Sequence, residues 1–67
     1  MEIIVNGEKE TISEGLNLNQ LLLQNKVETP SMVTVQINGE FVENDKYESV
    51  SFSENDEVEF LYFVGGG

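Results

Sequence analysis

Met1-Glu2-Ile3-Ile4-Val5-Asn6-Gly7 sets Met1, Ile3 and Val5 in alternation with Glu2, Ile4 and Asn6, the period-2 pattern of a half-buried strand. Asn-Gly supplies the two positive φ angles of a type I′ turn, so this strand is expected to fold back through residues 8–12 as an antiparallel hairpin. The same signal recurs further on. Val33, Val35 and Ile37 alternate with Thr34, Gln36 and Asn38, and Asn38-Gly39 follows, predicting a second hairpin that returns through Glu40, Phe41 and Val42. Residues 43–48 read as irregular, with Tyr47 tucked beneath them. Val50 and Phe52 suggest a short strand, and Ser53-Glu54-Asn55-Asp56 a turn. Glu57 to Val64 is the strongest strand signal in the chain, with Val58, Phe60 and Tyr62 on one face.

Between the hairpins, Leu18, Leu21 and Leu22 recur at i, i+3 and i+4, the spacing of one helix face. Asn17 can cap the first turn while Gln20 reaches back as in a capping box, and Leu16 can staple onto Leu21. A helix from Leu18 to Asn25 follows. Asn25 is expected to take the left-handed conformation that ends helices, and Pro30 confirms the stop. Hairpin, helix, strand pair and final strand together predict an α+β fold, a β-grasp arrangement of the ubiquitin-like kind. Its mixed sheet of four to five strands packs on one main helix, and the first and last strands pair parallel at the centre. A five-stranded small barrel also explains the hairpins but leaves the capped helix without a place. The expected organisation is one domain over residues 1–64 and a flexible glycine tail over 65–67.

Composition removes most functional classes. The 67 residues hold no Cys and no His, so there is no disulfide, thiolate zinc site, thiol nucleophile or imidazole base. Three Lys+Arg against 13 Asp+Glu leave a net charge of −10, and three lysines without an arginine cannot supply the counterion release that nucleic-acid binding depends on. An anionic membrane is disfavoured in the same way. The longest apolar runs fall far short of a bilayer span, and the start of the chain lacks a basic signal-peptide region, so a soluble, cytoplasmic protein is expected. Its partners are expected to present basic surfaces. The serines have no histidine to activate them, and the lysines have no apolar setting that would lower an amine pKa. Glu54, Asp56, Glu57 and Glu59 lack the alternating oxygen-ligand loop of a calcium site and read as a solvated turn, so no metal site is expected.

The sequence ends Phe63-Val64-Gly65-Gly66-Gly67. A frayed terminus or a cloning scar would look the same. Three glycines, however, span up to roughly 10 Å and carry no side chains, so they can thread a narrow slot and bring a carboxylate to a partner's active site. They also follow a strand rather than a loop. Since no body residue carries a reactive group, the Gly67 carboxylate is the candidate site of covalent chemistry, with Gly65 and Gly66 as the threading segment. The alternation that turns Val58 and Phe60 inward places Leu61 and Phe63 outward beside the tail. Ile4 on the neighbouring strand is expected to extend this apolar patch, a candidate partner surface.

Met1-Glu2-Ile3-Ile4-Val5-Asn6-Gly7, Leu18-Asn19-Gln20-Leu21-Leu22, Val35-Gln36-Ile37-Asn38-Gly39, and Asp56-Glu57-Val58 leading to Phe63-Val64-Gly65-Gly66-Gly67 together resemble the ThiS family of thiamine-biosynthesis sulfur carriers over the whole chain. Two positions depart from the family pattern: Asn17 where Thr is common, and Glu43-Asn44 where Pro-Arg is common, so the resemblance does not carry over any family contact at that loop. The resemblance implies a protein co-substrate rather than an enzyme, with no bound cofactor. A ubiquitin-activating-type partner would use ATP to adenylate the terminal carboxylate, which a sulfur-donor protein would convert to a thiocarboxylate for delivery to thiazole synthase. The small subunit of molybdopterin synthase is an alternative of the same class. A ubiquitin-like interaction or conjugation module is one of a different class.

Overall fold

The computed structural model describes residues 1–27 and 32–62, and the Tyr62 side chain is not described. Pro30, Phe63, Val64 and the glycines Gly65, Gly66 and Gly67, to which the sequence reading assigns roles, lie outside these residues. Five strands and one α-helix follow in chain order: β1 Glu2–Val5, β2 Glu8–Thr11, α1 Leu18–Gln24, β3 Val33–Ile37, β4 Glu40–Val42 and β5 Glu57–Tyr62, with a 3₁₀ turn at Asn44–Lys46 between the last two. The strands form one sheet in the order β2-β1-β5-β3-β4. β1 runs parallel to β5, and the other pairs are antiparallel. β2 and β4 remain edges at opposite ends of this order, so the sheet is open and the barrel alternative is excluded.

Both hairpin turns have the backbone that Asn-Gly dictates, with φ of 51° at Asn6 and 84° at Gly7, and 53° at Asn38 and 86° at Gly39. The inner sheet face supplies Ile3, Val5, Val33, Val35, Val58 and Phe60, which form one core with Leu18, Leu21 and Leu22 of the helix. A seven-residue helix is too short to persist alone. It stands here because three leucines are fully buried and its first turn is satisfied. Asn17 Oδ1 accepts from Gln20 N at 2.9 Å, Gln20 Oε1 accepts from Asn17 N at 2.8 Å, and Asn19 N donates to the Tyr47 carbonyl at 3.4 Å. Leu16 packs against the same core.

Two expectations need correction. Asn25 is not left-handed: its φ is −92°, and Lys26 takes the positive φ of 64°. Asn25 stays close to helical geometry because its Nδ2 donates both to the Leu21 carbonyl and to Glu10 Oε2 on β2. The left-handed residue is displaced by one, and Lys26 N→Leu23 O (3.0 Å) with Val27 N→Leu22 O (2.9 Å) makes a Schellman ending. Val50 and Phe52 form no strand. Phe52 is buried and Val50 packs against the core, so their alternation is satisfied by side-chain packing without a ladder. Tyr47 is buried as expected and ties the loop to β3 by donating its hydroxyl to the Val33 carbonyl at 3.1 Å.

Lys26→Gly should raise stability by about 1 kcal/mol, because glycine escapes the Cβ penalty of the left-handed conformation. Thermal melts that show no gain would refute this account of the helix end. Tyr47 offers a second check. Burial pushes its hydroxyl up from the ordinary 10.0, opposed in part by the nearby Val35 backbone. A raised folded pKa contributes stability that is fully present below about pH 10 and is lost as pH rises through the folded value. Tyr47→Phe should therefore cost about 1 kcal/mol at neutral pH through the lost hydrogen bond. Its deficit against wild type should narrow in melts above about pH 10. A deficit that stays constant with pH would contradict this.

Candidate functional site: the outer sheet face and the end of β5

β5 is the last described element before the glycines in the sequence, and two turn asparagines hold it in place. Asn38 N donates to the Glu57 carbonyl at 2.7 Å, Asn38 Oδ1 accepts from Glu57 N at 3.0 Å, and Asn38 Nδ2 donates to Asp56 Oδ1 at 3.0 Å. Toward the other end, Asn6 N donates to the Val58 carbonyl at 2.8 Å while Asn6 Oδ1 accepts from Phe60 N at 2.9 Å. β1 itself pairs with β5 only as far as Val5, which lies opposite Val58. The Asn6 side chain thus extends the ladder by one bond after the backbone has turned away. The sequence reading took Asn6 and Asn38 as turn residues alone. The available hint was that both turns use Asn where Asp or Gly would also serve.

Sheet registration assigns the faces. Ile4 lies opposite Lys9 and Glu57, Gln36 opposite Phe41 and Glu59, and Thr34 opposite Leu61. Leu61 is therefore outward, at 44% exposure. Ile4 shares that face and is half-buried, but its neighbour is Glu57. Leu61 sits four residues further along β5, about 13 Å at strand rise, with Glu57 and Glu59, both exposed, on the same face between them. The structure thus places Ile4 and Leu61 on one face without bringing them together. Phe63, the third apolar residue of the expected patch, lies outside the described residues. Phe41 had not been assigned to this face and is the more exposed residue at 67%. The alternation that turns Val42 inward in Glu40-Phe41-Val42 was the signal for it.

The turn acids are engaged with the fold: Glu54 Oε2 accepts from Glu2 N at 3.1 Å, and Asp56 Oδ2 accepts from Ser53 N at 2.8 Å. Among the described residues, no group of three or more His, Cys, Asp or Glu could hold a metal ion. No described helix is long and apolar enough to cross a membrane.

An open mixed sheet with a parallel β1–β5 pair, carrying its helix against one face, defines a ubiquitin-like β-grasp protein. Comparison with solved structures agrees. The crystal structure of the thiamine biosynthesis protein ThiS from Geobacter metallireducens matches with a TM-score of 0.85 and 42% identity, each chain covered in full. An NMR solution structure of a thiamine biosynthesis protein from the same organism matches with a TM-score of 0.78 and 40% identity, over all of this chain and 88% of that one. The sequence matches the ThiS family over residues 1–67. The chain belongs to the ThiS family. Two curated relatives named thiazole synthase, from Paramagnetospirillum magneticum and Magnetococcus marinus, are 31% and 34% identical over 67 residues. The chain spans 20% of the length of each.

Asn6→Gly keeps the turn but leaves the Phe60 amide without its acceptor, whereas Asn6→Asp keeps an acceptor oxygen. Amide exchange at Phe60 should accelerate in the glycine variant and stay slow in the aspartate variant, measured in high salt to screen the added charge. Equal exchange in both would mean that the Asn6 side chain does not hold this end of β5.

Proposed function

We propose that this chain carries sulfur for thiazole formation in thiamine biosynthesis, with Gly67 as the point of attachment. Membership of the ThiS family over residues 1–67 carries this reading. It is supported by a sequence that follows the central strand with Gly65, Gly66 and Gly67 and by a composition without thiol or imidazole. A carboxylate is a poor electrophile. Adenylation by an ATP-using partner of the ubiquitin-activating type releases pyrophosphate and leaves a mixed anhydride. The persulfide sulfur of a donor protein attacks the carbonyl carbon and AMP departs. A thiol then cleaves the acyl disulfide, leaving a thiocarboxylate at Gly67 and a disulfide on the donor. Thiazole synthase is the acceptor in this scheme. The occurrence of a similar segment within two thiazole synthases supports that pairing, since functions joined in one polypeptide commonly act together.

In this scheme Gly65 and Gly66 thread the partner's slot, while Leu61, Phe63 and Ile4 face the partner. The acidic surround steers association with basic surfaces, and apolar anchors supply affinity.

Incubation with the host's adenylating enzyme, ATP and a sulfur source should add about 16 Da at Gly67, the exchange of oxygen for sulfur that follows activation of the carboxylate. Mass spectrometry that finds Gly67 unmodified removes the carrier reading. Deleting Gly66-Gly67 should abolish loading and leave the thermal melt almost unchanged, as glycines that bury nothing would. A large loss of stability would show instead that they pack.

A further inference from the structure

β5 alternates its backbone groups between two neighbours. Glu57 exchanges bonds with Asn38 on the β3 side, while Val58 O and Phe60 N bond toward β1 through Asn6. The same alternation turns Phe60 C=O and Tyr62 N–H toward β1 and Leu61 toward β3. β3 follows β5 to its end, with Val33 opposite Tyr62. β1 does not, because its pairing stops at Val58 and Asn6 takes the last bond. Beyond the Phe60 amide, neither the register nor the hydrogen bonds among the described residues give this flank of β5 a partner. The result is a short open edge within the sheet order, in line with β1, ahead of the three glycines.

Resting on the carrier reading above, we infer that the adenylating partner adds an extended segment to this edge, bonding to Phe60 C=O and Tyr62 N–H where β1 would have continued. Three arguments select that occupant. Unpaired strand groups are complemented by another strand, whose backbone bonds give affinity while alternate side chains give specificity. Glycines offer a partner only backbone groups, so a protein that grips residues 65–67 must read backbone, and this edge is the nearest described backbone that can be read in the same way. Charge disfavours a second copy, since two chains at −10 each repel. Complementarity describes the segment itself: an apolar residue against Leu61 and a basic residue toward Glu59, both of which face outward on β5.

The test is amide exchange by NMR on the full carrier, alone and bound to the adenylating enzyme without ATP. The Tyr62 amide should exchange fast in the free protein and at least about tenfold slower in the complex. Leu61, bonded to β3, should be slow in both. Replacing Tyr62 by its α-hydroxy acid analogue keeps the side chain and removes the N–H. The ester also makes the Leu61 carbonyl a poorer acceptor toward β3, so the melt should fall modestly, while enzyme binding should weaken about tenfold at a temperature where the fold is intact. The same replacement at Leu61 should lower the melt further, because it removes the Leu61 N–H from the β3 ladder. Protection of Tyr62 in the free carrier, whether by its own chain or by a second copy, overturns the inference. So does unchanged exchange in the complex, or unchanged affinity of the Tyr62 analogue. Sulfur loading at Gly67, followed by mass, is read separately. Loading that persists while Tyr62 stays unprotected refutes the added strand and leaves the carrier function intact.

Discussion

The register of β5 is the constraint on which the other elements depend. Val58 and Phe60 face the core and Glu57, Glu59 and Leu61 face outward. A slip of one residue would exchange these sets and drive two glutamates into an apolar interior. Burial penalises that slip on its own, but the hydrogen bonds around Asn38 and Asn6 add a positional lock at either end of the strand. At Asn38 one side chain satisfies Glu57 N and meets Asp56, which is itself held by Ser53 N. The turn before β5, the turn after β3 and the first residue of β5 therefore form one hydrogen-bonded corner. The parallel β1–β5 pair joins segments far apart in sequence, whose closure entropy is large. It is made at the place where such side-chain bonds can stabilise it.

What was legible in the sequence was local. Both Asn-Gly turns, the Asn17/Gln20 capping box and the inward alternation of Ile3, Val5, Val33, Val35, Val58 and Phe60 depend on neighbours within a few residues, and the fold class followed from their order. The helix ending was misread by one position because Asn25 is recruited by Glu10, fifteen residues earlier in the chain, a contact that no local pattern contains. The short strand expected at Val50 and Phe52 failed for a related reason. Period-2 apolar residues can be satisfied by core packing without a ladder, and alternation alone does not distinguish the two. Of the candidate site, the outward face of Leu61 was readable. The wide separation of Ile4 from Leu61 was not, since it depends on where β1 stops against β5.

The same early stop of β1 connects architecture to the proposed chemistry. A carrier whose reactive group is a main-chain carboxylate has no side chain with which to distinguish its partners at the reaction centre. Under the proposed function, discrimination would come from the body, through Leu61, Phe41 and the acidic residues around them, and from backbone geometry close to the tail. A sheet in which β1 covered β5 to Tyr62 would be better paired but would offer a partner only side chains on its outer face. Ending β1 at an asparagine that caps the ladder keeps the Phe60 amide satisfied and leaves the next backbone groups available. The edge is also short, which limits the unpaired strand surface that favours aggregation, and the chain's net charge of −10 opposes self-association there. These features together favour a heterologous strand over a second copy of the same chain.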